Sequence, residues 1–523
     1  MAEPLSDLLA RGVARHGADT VFGLPGGGPN LDVVGAAGRA GLRFVLAHSE
    51  TAACIMAATY GLLRGRTALA IATRGPGVTS AANGVAQATL DRFPLLFVSD
   101  CVPAGQGDRV VHQRLDQSAL MAPITKWSGT LGTYRSGEVV EASLRLAAAD
   151  PPGAVHLDFD PTSPGDAAPA ITDTQGPDEE SVARARQLAA QASRPLVLAG
   201  VGCASAAGPV RDLLERLPCP VLLTYQAAGL VGHDSANLGG LFTNGAMERP
   251  LVDRADLIVC VGLDPVEPIP ADWPSPVPVI SLHHSPIVNP YYPVTVELTG
   301  PIDELLDRLH DCLGGSWPSD AGSEARRAGM QELRSAAAHD LGPVEVVETV
   351  AAAAPPDALV TIDAGAHFLA VMPLWPVRRF GSLLISNGLA TMGFAVPAAI
   401  GTALARPGAP VVCFVGDGGL GMTVSELETV ARLDLPITVV VFNDALLSLI
   451  AVKQSSAQGG DEAVRYQPTD FAAVARASGL QAATVHTAGD LAAVLSHGWG
   501  EPRLVDVAVD PTPYAHLIRV TRG

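Results

Sequence analysis

The sequence predicts an α/β protein of three doubly wound domains, each a parallel sheet flanked by helices. Strand-sized apolar runs alternate along the whole chain with longer Ala- and Leu-rich stretches of helical period. That is the pattern of parallel sheets covered on both faces. The alternation falls into three blocks, and in each an apolar run enters a glycine turn. These are ALAIATRGPGVTS (68–80), PLVLAGVGCASAAG (195–208) and VVCFVGDGGLGM (411–422). A length of 523 residues also suits about three domains.

Taken in order, MAEPLSDLLARGVARHG reads as an amphipathic helix without the apolar centre of a secretory signal. The first block runs to about residue 160, and the Pro- and Asp-rich stretch 158–180 reads as a linker. The second opens with the strand LVLAG after Arg194-Pro195 and ends near Trp317. The polar segment PSDAGSEARRAG leads into the third, which closes with a strand and a short final segment. The expected domains are therefore 1–165, 180–318 and 335–523. Hydrophobic residues make up 48% and charged residues 17%, enough for a large buried core. A net charge of −19 argues against nucleic acid or an anionic membrane as partner. The apolar runs, such as 410–415 and 435–442, are too short to span a bilayer. Seven scattered cysteines with no CxxC spacing point to reduced core thiols in a cytoplasmic protein.

The strongest local signal is Gly416-Asp417-Gly418 at the end of the strand VVCFV, followed by M-x-x-x-E-L-x-T (422–429) and by the strand PITVVVF, which ends in Asn443-Asp444. In open α/β sheets, ligands bind at the carboxyl ends of strands. Two carboxylates with a nearby backbone carbonyl suit a hard six-coordinate ion such as Mg²⁺ bridging to phosphates. Glycines let backbone amides approach such phosphates at a helix start. Alone, the same residues more often describe a strand terminus and a turn cap.

The GDG, strand and Asn-Asp succession resembles the diphosphate-binding signature of thiamine-diphosphate enzymes. Over nearly its whole length the chain is similar to their acetolactate synthase and benzoylformate decarboxylase branch. The resemblance names the three domains pyrimidine-binding, central and diphosphate-binding. It implies that Asp417, Asp444 and the backbone oxygen of Leu446 hold Mg²⁺, or another divalent ion such as Mn²⁺ or Ca²⁺. Gly416, Gly418 and Gly419 would lie against the diphosphate. His48-Ser49-Glu50-Thr51-Ala52-Ala53, with Met56 and Tyr60, resembles the family's H-E-x-x-A-x-x-M-x-x-x-Y stretch. Ser49 is an extra residue, and Met56 and Tyr60 keep register with Glu50, which makes Glu50 the catalytic glutamate that shares a proton with the aminopyrimidine N1′. Burial should raise its pKa toward neutrality. SNGLATMGF (386–394) resembles the G-x-M-G-F-G segment. Met392 would wedge the cofactor into its bent form, and the carbonyl of Ala390, where the family more often has glycine, would hold its amino group. Asp363-Ala364-Gly365-Ala366-His367 resembles D-V-G-x-H, so Gly365 and His367 would approach the diphosphate. Gly75-Pro76-Gly77 matches the G-P-G turn of the first domain, facing the thiazolium. Gln113, within HQRLDQ, resembles a glutamine near the substrate of acetolactate synthases; His112 and His48 either touch substrate or are structural. His283-His284 receives no role.

The resemblance thus implies thiamine diphosphate- and Mg²⁺-dependent decarboxylation or carboligation of a 2-oxo acid through an enamine. The active sites would lie between the subunits of a homodimer or homotetramer. FAD is not expected: Ser205 stands where a dinucleotide fingerprint has its third glycine, and the strand PVLLT ends in Thr224 rather than an acid. The stretch 262–268, GLDPVEP, also lacks the Arg- and Asp-rich segment of FAD-carrying acetolactate synthases. Ala451-Val452-Lys453-Gln454 replaces the tryptophan region of those enzymes, and Lys453 is either an ordinary surface lysine, the commoner case, or a cation for an anionic substrate. Acetolactate synthase proper and a 2-hydroxyacyl-CoA lyase are the alternatives within the family. Outside it stand a flavin- or nicotinamide-linked oxidoreductase, disfavoured by Ser205, and a silent cofactor-binding subunit, disfavoured by Glu50, Met392 and Asp417.

Overall fold

A computed structural model of the chain describes residues 3–107, 109–171, 176–287, 292–454, 458 and 460–523. It contains three six-stranded sheets, and every strand pair in them is parallel. The first holds β1 (Thr20–Leu24), β2 (Arg43–Leu46), β3 (Ala68–Ala72), β4 (Leu95–Asp100), β5 (Trp127–Leu131) and β6 (Ala154–Phe159) in the order β2-β1-β3-β4-β6-β5. The third repeats that order with β13 (Leu359–Ile362), β14 (Leu383–Ile385), β15 (Val411–Gly416), β16 (Ile437–Asn443), β17 (Gln481–Val485) and β18 (Arg503–Ala508), giving β14-β13-β15-β16-β18-β17. The middle sheet differs. Its strands β7 (Pro195–Ala199), β8 (Val221–Leu223), β9 (Leu238–Leu241), β10 (Leu257–Val261), β11 (Val279–His283) and β12 (Val296–Thr299) run β9-β8-β7-β10-β11-β12, the order of dinucleotide-binding sheets. The central strands are continuous apolar runs because helices cover both faces: β15 and β16 are buried from Val411 to Val415 and from Ile437 to Phe442.

The polar segment after Trp317, which leads into the third block, is the start of the helix Ala321–Arg334. Its Ala, Glu and Arg residues are strong helix formers, and Gly322 lets it press onto the Asn237 carbonyl before β9. The closing segment is also a helix, Tyr514–Arg522. No helix among the described residues is long and apolar enough to cross a membrane.

The outer domains share one buried cluster, in which the helix Glu50–Arg64 packs on the helix Ala395–Ala405. Gly401 is needed there, since a Cβ would stand 2.5 Å from the Met56 carbonyl. All three domains meet at Asp91-Arg92. Asp91 accepts from the amide of Gly388, its carbonyl accepts from Gln226 at 2.9 Å, and Arg92 grips Asp264 with two bonds of 2.7 and 3.0 Å.

Candidate active site

A cavity of about 660 Å³ opens at the carboxyl ends of the third sheet, where the strand order reverses between β13 and β15. Such reversals leave a crevice for ligands in open α/β sheets. Four strand ends line it: Gly365 and His367 after β13, Ala390 and Met392 after β14, Gly416 to Gly419 around the end of β15, and Asp444 and Leu446 after β16. Asn443 turns the other way and binds Asp506 of β18 at 2.9 Å. It thereby fixes the strand end from which Asp444 faces the cavity.

Asp417 and Asp444 share one donor. The Leu446 amide lies 3.3 Å from Asp417 Oδ2 and 3.1 Å from Asp444 Oδ1, a geometry reached through a left-handed Ala445 (φ 54°). Ser448 donates its hydroxyl to Asp444 Oδ2. Burial raises the pKa of Asp417, and burial together with the charge of Asp417 pushes Asp444 to about 7. The Gly418 amide donates to Asp417 Oδ1 at 2.6 Å. A Cβ on Gly418 would stand 2.9 Å from Leu447, and one on Gly419 would stand 2.7 Å from Asp363 Oδ1.

His367 is buried and stacks on Phe442 at 5.3 Å. Burial holds its pKa down at about 3, so it is neutral, and its Nε2 has no hydrogen-bond partner. A Cβ on Gly365 would meet that ring at 2.8 Å. Ala390 has φ 53°, which explains why glycine suits this position.

Matches to known proteins agree with this geometry. Residues 4–120, 182–309 and 363–507 match, in turn, the N-terminal TPP binding domain, the central domain and the C-terminal TPP binding domain of the thiamine pyrophosphate enzymes. The chain belongs to the thiamine pyrophosphate enzyme family. It is 30% identical to an acetolactate synthase of Bacillus subtilis, over 97% of this chain and 93% of that one. It is also 30% identical to the Pseudomonas aeruginosa protein named probable 2-ketoarginine decarboxylase AruI, over 94% and 91% of the two chains. A catabolic acetolactate synthase of Raoultella terrigena is 29% identical over 97% and 95%. The chain is accordingly a thiamine pyrophosphate-dependent enzyme of the acetolactate synthase and decarboxylase group.

Within a single chain of this enzyme the remaining candidates gather elsewhere. Glu50 begins its helix behind Ser49, whose hydroxyl accepts from the Ala52 amide at 3.1 Å and caps the first turn. The residue that reads as an insertion is thus the helix cap. A Cβ on Gly77 would stand 3.3 Å from Glu50 Oε1, and one on Gly75, at φ 68°, would stand 2.6 Å from the Gln113 carbonyl. Glu50, Gly75, Gly77 and Gln113 thus form a cluster at the carboxyl ends of the first sheet, outside the Asp417 cavity. Glu50 is only half-buried there. His112 and Gln113 are exposed in the loop after β4. His48 is also exposed and points to neither cluster. Its amide donates to Glu426 Oε1 and its Nε2 meets Glu428, both at 2.8 Å.

Three residues without a role in the sequence reading matter here. Asp363 is fully buried and accepts from the amides of Gly393 and Ala395 at 2.9 Å each, which fixes the turn carrying Met392. Its place at the head of D-A-G-A-H was a visible signal. Glu426, inside M-x-x-x-E-L-x-T, anchors His48 and Thr429. Glu267 had no local signal. Its carboxylate lies in the glycine turn of the central sheet, accepting from the amides of Val201 (3.0 Å) and Asp264 (3.1 Å) and from the Thr224 hydroxyl. Burial pushes it up to about 8.

Proposed function

We propose that this enzyme is a thiamine diphosphate- and Mg²⁺-dependent 2-oxo acid decarboxylase or carboligase, working as a homodimer or homotetramer. The observation that carries this is the cavity at the strand-order reversal, which gathers Asp417, Asp444, Leu446, His367, Ala390 and Met392. Its residues fit the cofactor. Two buried carboxylates with raised pKa share a single amide donor and gain from a divalent cation. They supply only two protein carboxylates, which suits an ion that completes its shell with a backbone oxygen and phosphate. The Nε2 of buried His367 has no partner beside the cavity, and the Gly418–Gly419 stretch leaves no room for a side chain.

Thiamine diphosphate, when bound, supplies a nucleophilic carbon and an electron sink for the bond that is cleaved or made. Asp417, Asp444 and the Leu446 carbonyl hold the cation, while Gly365, Gly416, Gly419 and His367 border the diphosphate. Met392 supports the rings, and the Ala390 carbonyl receives the amino group. Glu50 holds and returns a proton on its carboxyl opposite the pyrimidine N1′, and Gly75 and Gly77 shape the wall beside it. The separation of the Glu50 cluster from the Asp417 cavity within one chain supports a site completed by a second copy. Such a copy would also bury Glu50 further. Gln113 and His112 then face the substrate from that copy, whereas His48, spent on Glu426 and Glu428, serves the scaffold.

The domains follow as 1–165, 180–318 and 335–523, spans within which the three sheets fall. Glu267 supports a central domain without FAD, since its carboxylate occupies the turn that a dinucleotide diphosphate would need. The seven free cysteines, five of them buried, support a cytoplasmic location. The test is turnover of 2-oxo acids from pyruvate to benzoylformate, with and without thiamine diphosphate and Mg²⁺, with products read by mass spectrometry. Cofactor-dependent aldehyde indicates decarboxylation and acyloin or acetolactate carboligation. A protein that binds no thiamine diphosphate would refute the reading.

A further inference from the structure

The cavity has a second end, and an unanswered charge lies there. The helix Tyr514–Arg522 contributes both its first and last residues to the wall. Tyr514 stands in the field of Asp444 and Asp417, whose charges add to burial in raising its pKa. Arg522 comes eight residues later, about 12 Å further along at the helical rise. There the helix docks on the central domain, with the Thr521 carbonyl accepting from the Ala246 amide at 3.0 Å.

The Arg522 guanidinium lies over the Phe368 ring, 5.4 Å from its centroid. Its Nε is buried and has no hydrogen-bond partner, and among the described residues no carboxylate pairs with it. Nearby polar groups are already committed. Glu267 serves Val201, Asp264 and Thr224, Glu248 takes the Thr243 amide at 2.9 Å, and Arg519 on the same helix meets His516 at 2.9 Å. The adjoining wall is apolar, formed by Pro265, Val266, Pro268 and Ile269. The chain has 53 acidic residues against 34 Lys and Arg, so an arginine left unpaired beside a cavity is not for want of carboxylates. A planar, weakly hydrated guanidinium braced on an aromatic face is suited to a carboxylate or phosphate.

We infer that Arg522 anchors a distal anionic group, so that the enzyme prefers 2-oxo acids carrying a second carboxylate or phosphate at the far end of a short apolar chain. This rests on the 2-oxo acid reading above. The cofactor's diphosphate also offers anionic oxygens, and Phe368, on which the guanidinium lies, follows His367 in the chain, so the test includes the cofactor's own affinity.

The test compares wild-type, Arg522→Met and Arg522→Lys holoenzymes on 2-oxobutyrate, 2-oxoglutarate and 2-oxoadipate, together with fluorescence titration of thiamine diphosphate and calorimetric titration of glutarate. Wild type should favour the dicarboxylates by about tenfold or more in kcat/KM, the scale of one charge-assisted hydrogen bond. Arg522→Met should erase that preference through KM, Arg522→Lys should restore part of it, and cofactor affinity should not move. Equal losses on all three acids, or weaker cofactor binding with the preference intact, would overturn the inference; the latter would assign Arg522 to the diphosphate. If no acid turns over, the functional reading fails, yet the anchor is still decided. Glutarate binding that disappears in Arg522→Met sustains it, and glutarate binding indifferent to Arg522, or absent from wild type, refutes it.

Discussion

Gly419 and Gly421 occupy the same short helix, Asp417–Thr423, and alanine at the two positions should act with opposite sign. Helix propensity alone favours Ala over Gly by roughly 1 kcal/mol at either site. At Gly421 a Cβ would meet nothing within 4 Å, so that gain should survive. At Gly419 a Cβ would stand 2.7 Å from Asp363 Oδ1, and ordinary contact begins at 3.4 Å, so something must give by 0.7 Å. Asp363 has nowhere to go: it is fully buried and holds the Gly393 and Ala395 amides at 2.9 Å each. Forcing an extra carbon into such packing costs about 1–3 kcal/mol, and stretching either hydrogen bond to Asp363 adds about 1 kcal/mol. Gly419→Ala should therefore be net destabilising by about 1–3 kcal/mol on these figures. Because the displaced turn carries Met392, thiamine diphosphate binding should weaken as well. Denaturant midpoints and cofactor titrations of the two variants side by side check this. A Gly419→Ala protein as stable as Gly421→Ala, with unchanged cofactor affinity, would refute the reasoning.

Ala390→Gly should stabilise the protein by roughly 1 kcal/mol, by relieving a left-handed alanine, and chemical denaturation will read it; a loss would mean the turn tolerates Cβ without strain. Glu50→Gln should retain thiamine diphosphate binding but lose about a hundredfold or more in turnover. Mixed with an Asp444→Asn variant, it should recover about a quarter of wild-type activity, since random pairing of two-fold partners makes half the dimers hybrid and gives each hybrid one intact site; no recovery argues that the site lies within one chain. The raised pKa of Asp444, about 7, means that protons compete with the cation. Apparent Mg²⁺ affinity should rise up to about tenfold per pH unit below 7 and level off above. For the same reason the metal-free protein should lose stability as pH climbs from about 4 through 7, the raised group contributing most below its unfolded value. Excess Mg²⁺ should cancel that loss in thermal melts, and a pH-independent Mg²⁺ affinity would exclude Asp444 as a ligand.

Much of the site could be read from the sequence because it is built at strand ends. Apolar runs such as VVCFV and PITVVVF announce buried parallel strands, and ligands bind at the carboxyl ends of such strands, so Asp417 and Asp444, each two residues past a run, were legible as candidates with no coordinates. The rest depends on contacts that sequence spacing does not encode. His48 stands two residues before Glu50 in the chain, yet its partners Glu426 and Glu428 are 378 and 380 residues away. Ser49 looked like a disruption of the motif because hydrogen bonding to Ala52 cannot be seen in a pattern of residue types. The helix after Trp317 was not legible for a related reason: a helix laid on a sheet edge needs only a narrow apolar stripe, so its residues read as merely polar. Glu267 was invisible, as its carboxylate meets Val201 only because β7 and β10 lie side by side.

These particulars bear on how a chain of net charge −19 handles anionic ligands. Its global field opposes them, and the cavity near Asp417 is itself acidic, with His367 held neutral by burial. If, as proposed, a divalent cation offsets the Asp417 and Asp444 pair, cation and cofactor should bind with strong mutual dependence. The central domain meets its own buried glycine turn differently, by filling it with the Glu267 carboxylate. That leaves Arg522, whose charge needs no metal to act, and Lys453 nearer solvent, as the permanent cations of the cavity wall. An anionic substrate that arrives after the cofactor therefore meets its fixed positive charge toward the central domain, on the helix Tyr514–Arg522. Selectivity among substrates should accordingly follow changes in that helix and in the 265–270 wall more closely than changes at the glycine and aspartate motifs that the sequence displays.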